Sequence, residues 1–216
     1  MTEFRRFAVV ALVAVCALFV LASCQRPTTV VEGPQGSLAV AGFFQPQSSR
    51  ELMAGYLPED PLPVPNKILG ELDAALSAAL ASGDAQTWIR PPRVDHCRAQ
   101  LLERSEGKPG AAFKHWLEVA KCVEVDWLLV PQVTYWRERD GSDISVRDAA
   151  SVTMDLFLIS VADESIVRRF HFEETQLSLT ENILDAGKFV RRGGKWITAL
   201  ELAREGLKRG VKEFGL

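Results

Sequence analysis

SVTMDLFLISVADESIVRRFHFEETQ, residues 151–176, alternates apolar and polar side chains in two runs that a short turn separates. A β-strand points successive side chains to opposite faces, so a period of two predicts strands with one buried face. Residues 127–137 show the same period, and the segments RDGSD and ADES supply turn residues between the three runs. The sequence therefore predicts a three-stranded antiparallel meander. Its buried face is best defined by Val152, Met154, Leu156, Leu158, Ile166, Phe170 and Phe172.

The segments around the meander add one strand and several helices. LAVAGFF, residues 38–44, predicts a buried strand, and apolar residues at helical spacing predict a helix that Asn66 caps and that runs through Ser82. Ser178 with Glu181, and Thr198 with Glu201, match capping boxes of two terminal helices. Further helices are expected over 95–104 and 111–121. The fold class is α+β, a mixed α/β arrangement in which helices pack a sheet made of the meander and an N-terminal strand.

Proline restricts two parts of this fold. Pro131 has no amide donor, so its strand is expected to be an edge strand or to carry a bulge. YLPEDPLPVP, residues 56–65, forbids helix and favours extended backbone. This connection is either a strap that covers the open face of the sheet or a binding segment. The strap would use Tyr56, Leu57, Leu62 and Val64.

The first 23 residues have the pattern of an export signal. Arg5 and Arg6 precede an uncharged apolar run over 8–22, which is short for a membrane span of about 18 to 25 residues. The run ends in Leu21-Ala22-Ser23-Cys24, which resembles the bacterial lipobox. That resemblance implies cleavage before Cys24 and acylation of Cys24 with fatty acyl chains such as palmitate. An uncleaved anchor helix, or a secretory signal with an incidental cysteine, is the alternative.

The mature chain is expected to divide into a tether and one domain. Residues 24–37 contain prolines and glycines and predict a flexible tether, and residues 38–216 a single periplasmic domain. Within the lipoprotein resemblance, Gln25 rather than aspartate implies sorting to the outer membrane, facing the periplasm. The mature net charge is about −4, which gives no basic field for nucleic acid.

Two cysteines remain in the exported domain. Cys97 and Cys122 are candidates for a disulfide, which would stabilise the fold by about 3.5 kcal/mol if it closes a loop of roughly 25 residues. Two buried thiols, or a reactive Cys97 near the start of a helix, are the alternatives.

No constellation of catalytic residues or metal ligands is evident. His96 and Cys97 are adjacent, and no C-x-x-C or H-x-x-x-H pair occurs, so we expect no metal, and without a P-loop no cofactor is implied. His171 lies between two phenylalanines, so alternation predicts it on the opposite, polar face with Arg169 and Glu173.

FVRRGGKWITA, residues 189–199, is the strongest candidate for binding. Its cations, two glycines and flat indole ring suit an anionic envelope component or an acidic protein patch. The alternative is a turn between two helices with solvated arginines and a packed tryptophan. The candidate binding residues are Arg191, Arg192, Gly193, Gly194, Lys195 and Trp196.

The whole pattern over 38–214 resembles the periplasmic lipoprotein modules related to the TolB amino-terminal domain and the curli-secretion lipoprotein. An opening strand, a long first helix, a late meander and the lipobox carry this resemblance. The connection 45–66 and the RRGGKW helical hairpin depart from it, so the roles of those relatives are not transferred to residues here.

These observations predict a lipid-anchored, non-enzymatic interaction or assembly module of the cell envelope. Its expected contacts are the membrane, through Cys24, and an envelope protein. An envelope hydrolase or a subunit of a secretion complex is the alternative.

Overall fold

A four-stranded mixed sheet forms the centre of the structure, a computed structural model that describes residues 33–59, 62–83, 87–104, 111–176 and 186–216. The strand order is β1 (Leu38–Val40), β2 (Trp127–Arg137), β5 (Ser151–Ser160), β6 (Ser165–Thr175). β1 is parallel to β2, and the other neighbours are antiparallel. The predicted meander with an added N-terminal strand is therefore confirmed. In the chain segment that connects β2 to β5, two short strands, β3 (Asp140–Gly141) and β4 (Val146–Asp148), form a separate hairpin.

Helices pack against both faces of this sheet. On the first face lie α1 (Asn66–Ala81) and α5 (Ala199–Phe214), whose apolar sides share one core with Met154, Leu156 and Phe172. On the second face lie α2 (Pro91–Arg104) and α3 (Ala112–Val123). A short helix, α4 (Ala186–Arg191), precedes α5. Two separate cores result, because successive strand residues point to opposite faces.

A disulfide joins the two helices of the second face. The Cα atoms of Cys97 in α2 and Cys122 in α3 lie 5.9 Å apart. The bridge closes a loop of 25 residues, so the helix pair is held together independently of its packing on the sheet.

Two helices begin differently from the prediction. Asn66 does not cap α1, because Asn66 is its first helical residue and Pro65 occupies the cap position without a side-chain hydrogen bond. α2 begins at Pro91 rather than near Asp95, since proline's fixed φ and missing N–H suit the first turn of a helix. The box of Thr198 and Glu201 on α5 is confirmed, whereas Ser178 and Glu181 lie outside the described residues.

The strand of Pro131, β2, lies between β1 and β5 and is not an edge strand, but it does carry a bulge, which was the other predicted alternative. The bulge in β2 lies further on, between Val133 and Tyr135. On the β1 side, Ala41 donates to the Leu129 carbonyl and Val133 donates to the Phe44 carbonyl. Pro131 falls between these bonds, where β1 has already ended, so its missing donor interrupts no ladder.

The chain before β1 is attached to the domain over its described part. The backbone N–H and the hydroxyl of Ser37 both donate to Asp126 Oδ2 at 2.8 Å, and Trp127 Nε1 donates to the Gln35 carbonyl. These bonds fix residues 35–37 at the end of the sheet where β2 begins. No helix in the described ranges is both long enough and apolar enough to cross a bilayer.

Candidate functional site

The helices of the second face leave part of the sheet open. α2 packs against β1 and α3 against β2, so these helices lie over one side of the sheet. A groove of about 430 Å³ lies on the rest of this face, near β6 and at the end of the sheet where β2 finishes. Its lining comes from β2, β5, β6 and the connection after β1: Ala54, Gly55, Tyr56, Pro58, Thr134, Tyr135, Arg137, Ser151, Thr153, Asp155, Arg169, His171, Glu173 and Thr175.

Asp155 is the buried charge in the floor of the groove. Its side chain is 3% exposed, and its Oδ1 accepts a hydrogen bond from Arg169 Nε at 2.9 Å. The same oxygen lies 3.0 Å from Nδ1 of His171, which is the residue opposite Asp155 on β6. An ionised carboxylate can only accept, so Nδ1 carries the proton in this contact. The Oδ2 atom accepts no hydrogen bond from the described residues.

The predicted placement of His171 is confirmed. It shares the second face with Arg169 and Glu173, while Phe170 and Phe172 are buried on the first face. Its Nε2 atom lies 3.5 Å from Glu173 Oε2, and its side chain is 43% exposed. Both ring nitrogens therefore face carboxylates.

Among the described residues, no hydroxyl or thiol is a hydrogen-bond partner of His171. A histidine base activates a hydroxyl or thiol that lies within hydrogen-bond distance. Among the described residues, the hydrogen-bond contacts of His171 are to Asp155 and Glu173 only. The Ser151 and Thr175 hydroxyls are 2.6 Å from each other, at the far end of the groove. Nor does any group of three or more acidic, histidine or cysteine side chains in the described ranges converge to hold a metal ion.

The connection after β1 forms one wall of the groove. Gln132 is fully buried, and its amide accepts from the Met53 N–H and donates to the Glu51 carbonyl. These bonds bring Gly55 over the sheet beside Arg169, with φ of +91°. Glycine adopts this left-handed backbone without steric penalty.

The connection does not cover the groove as the strap prediction required. Tyr56 is 79% exposed and Leu62 is 64% exposed, so this prediction is wrong for both. Val64 is buried, but it packs in the first-face core. The reason is that Gln45 bonds to the backbone of Leu62 and Val64, which draws the chain across to the first face.

The candidate residues 191–196 lie near the end of the groove but on the first-face side of β6. Arg192 is 8% exposed and ion-paired, with Nη2 at 2.7 Å from Glu174 and 2.6 Å from Glu205. Gly193 and Gly194 both have φ of +70° and form the turn that follows α4. The structure does not bring these residues into the groove.

Lys195 and the backbone of Trp196 contact the loop between β3 and β4. Lys195 Nζ lies 3.2 Å from Asp143 Oδ2, and the Trp196 N–H donates to the Asp143 carbonyl. Gln176 fixes the backbone on both sides of Trp196. Arg191 and Lys195 keep exposed side chains.

Sequence reasoning missed Asp155 and the wall of the groove. The available signal was one aspartate inside the apolar run MDLFLIS, because a charged residue in a buried strand needs a partner. It also missed Asp73 and Asp95, which approach the Gly42 backbone from α1 and α2. Asp73 Oδ1 accepts the Phe43 N–H at 2.6 Å, and burial raises the pKa of both carboxyls above the ordinary range.

Fold and groove together define a mixed α/β domain with helices on both faces of a four-stranded sheet and one polar, open region on the second face. No family model matches this chain, and no curated protein matches it. Several solved structures are similar to it at low identity, and one of them is described as a bacterial lipoprotein.

Three of these solved structures show the range of sequence identity and TM-score among the matches. The PelC dodecamer from Paraburkholderia phytofirmans is 14% identical with a TM-score of 0.46, over 85% of this chain and 93% of that one. The LpoB C-terminal domain from Salmonella enterica is 13% identical with a TM-score of 0.39, over 73% and 93%. Lipoprotein GNA1162 from Neisseria meningitidis is 14% identical with a TM-score of 0.37, over 73% and 98%. The identities and TM-scores are too low for these structures to assign a role to any residue of the groove.

Proposed function

We propose that this chain is a lipid-anchored, non-enzymatic interaction or assembly module of the bacterial cell envelope. The observation that carries the proposal is the groove, which is a preformed concave surface with hydrogen-bonding groups and no activated nucleophile among its described residues. Such a surface holds a ligand without transforming it. A concave pocket with a few convergent polar groups is the usual form of a binding site.

The location within the envelope rests on the N-terminal sequence. A lipobox cysteine at position 24 would receive the acyl chains, and at least two chains are needed for stable anchoring. Gln25 supports the outer membrane as the destination, with the domain facing the periplasm. Residues 35–37 dock at one end of the sheet, while the groove opens towards the other. The binding surface is therefore remote from the point where the anchor joins the domain.

The turn 191–196 is proposed as a second contact surface, for an envelope protein. It lies at the same end of the sheet as the groove and keeps Arg191 and Lys195 exposed. An acidic patch on a partner would face these cations beside Trp196.

Crosslinking in living cells tests the proposal. A photo-crosslinking amino acid replaces Tyr56 in the groove, Lys195 in the turn, or Glu118 on α3 as a matched exposed control. We expect specific adducts from positions 56 and 195 and only background from position 118. Equal, unspecific labelling at all three positions would contradict the proposal.

A hydrolase remains the second candidate, because the Asp155 and His171 pair resembles the orienting half of a catalytic site. Incubation of the purified chain with peptidoglycan distinguishes the two functions. We expect no release of muropeptides. Release that a His171→Gln variant abolishes would establish the enzyme instead.

A further inference from the structure

The charges in the groove are balanced among themselves. Arg137 and Arg169 face Asp155 and Glu173, so the two arginines of the lining are matched by two carboxylates. Asp155 is already neutralised by Arg169 at 2.9 Å. An ionic ligand would lose its hydration and find no uncompensated countercharge, so the groove favours a neutral polar ligand.

Hydrogen-bonding groups of both kinds remain free for such a ligand. Asp155 Oδ2 is an acceptor with no donor in the described part of the chain. Arg169 uses Nε for Asp155, and Arg137 uses Nε for the Ala149 carbonyl, which leaves the outer nitrogens of both guanidinium groups as donors. A hydroxyl both donates and accepts, so neighbouring hydroxyls on one ring can satisfy an aspartate and an arginine together.

Two tyrosines supply flat apolar surface beside these polar groups. Tyr56 projects from the wall with 79% of its surface exposed, and Tyr135 is half-buried in the lining. The C–H faces of a pyranose ring pack well on an aromatic ring. Each pyranose ring is itself rigid, so conformational entropy is lost on binding only at the linkages between rings.

From these three features we infer that the groove binds a neutral saccharide chain. This deepens the proposed function, on which it rests, because it names the class of envelope component that the same groove holds. A polypeptide also offers donors and acceptors, but extended peptides gain affinity by adding main-chain bonds at a sheet edge. The groove instead presents side chains on a sheet face.

Titration of the mature chain, residues 24–216, with defined probes tests the inference. The probes are a tetramer of N-acetylglucosamine, a tetramer of glucose, and a blocked Gly/Ser peptide of similar length. Nuclear magnetic resonance of the ¹⁵N-labelled chain reports which amides respond. We expect at least one saccharide to shift amides around Thr153 and His171, and the peptide to shift none.

Variants separate this site from unspecific contact. Tyr56→Ala removes an exposed ring and is expected to weaken saccharide binding about tenfold or more, and Thr153→Val should weaken it less. The matched control is Leu62→Ala, an exposed apolar residue of the same connection that does not line the groove. Equal effects of Tyr56→Ala and Leu62→Ala, or no response to either saccharide, would overturn the inference.

The outcomes also separate this inference from the proposed function. Protein adducts at Tyr56 without saccharide binding would overturn the saccharide inference alone. Saccharide binding by the groove, together with a Cys24 that carries no acyl group in protein isolated from its own cells, would overturn the lipid anchor alone. Peptide binding that depends on Tyr56 would reassign the groove to a polypeptide.

Discussion

At the scale of single residues, Asp73 shows how burial and hydrogen bonding compete at one carboxyl. The Phe43 N–H donates to Asp73 and favours the ionised form, while burial and the nearby charge of Asp95 disfavour it. The pKa of Asp73 is raised, so burial outweighs the hydrogen bond. The ionised carboxyl therefore lowers stability at neutral pH.

Asp73→Asn is expected to stabilise the protein at pH 7. The raised pKa means that the folded state binds this proton more tightly than the unfolded state, whose pKa is about 3.9. The stabilising effect of the proton is complete below that value and is lost as pH rises through the folded-state pKa. The advantage of Asn should therefore be largest near pH 7 and vanish near pH 4. Urea unfolding between pH 4 and pH 7 measures the difference in the free energy of unfolding, and the exposed Asp148→Asn is the control. An Asp73→Asn protein that is less stable than the unchanged protein at pH 7 would contradict the prediction.

At the scale of elements, α5 approaches the sheet closely because it carries glycine where its stripe meets the strands. A Cβ on Gly206 would lie 2.5 Å from Met154 Cε and 2.7 Å from the Phe172 ring, too close for real contacts. Gly210 meets Phe170 and Leu156 in the same way. The loss of helix propensity at both glycines is offset by the closer packing of the first-face core.

Gly206→Ala and Gly70→Ala are expected to change stability in opposite directions. At Gly206 the overpacking cost of about 1–3 kcal/mol exceeds the propensity gain of about 1 kcal/mol, so the variant should be destabilised. Gly70 is exposed on α1 with no atom near its Cβ position, so its variant should gain roughly 0.5–1 kcal/mol. Thermal unfolding of both proteins makes the comparison. A shift of the same sign in both would show that α5 does not pack as described.

At the scale of the whole molecule, the two ends of the sheet have different surroundings. One end carries the docked residues 35–37, and the other carries the groove, the hairpin of β3 and β4, and the turn 191–196. The proposed binding surfaces therefore lie at the end of the sheet opposite the docked residues 35–37.

Gln25→Asp is expected to retain the protein in the inner membrane, and Cys24→Ser to leave it without acyl chains. The reason is the resemblance to bacterial lipoproteins, in which the residue after the acylated cysteine directs sorting. Fractionation of the envelope and acyl labelling measure both effects. Thr29→Asp adds the same charge at a position further along and should leave sorting unchanged. Unaltered distribution of Gln25→Asp would contradict outer-membrane sorting by this signal.

Much of the fold and part of the site are readable from local pattern. The meander, the α5 cap at Thr198 and the placement of His171 beside Arg169 and Glu173 follow from periods of two or 3.6 residues. The Asn66 cap failed because Pro65 occupies the cap position, and its side chain has no acceptor for the first helical N–H groups. The exposed position of Tyr56 could not be predicted, because it follows from side-chain bonds of Gln45 and Gln132 to the connection on either side of Tyr56, and the sequence pattern does not show these bonds.

By itself, the sequence determined the elements, the faces that each strand buries, and the expectation of an export signal, because these are encoded in contiguous residues. Only the tertiary structure decided that α2 and α3 leave the second face open where β2 finishes, and that Asp155 meets Arg169 and His171 in the floor of the groove there. Those outcomes depend on strand register and on how far distant segments reach across one sheet, and neither quantity is carried by any short stretch of the chain.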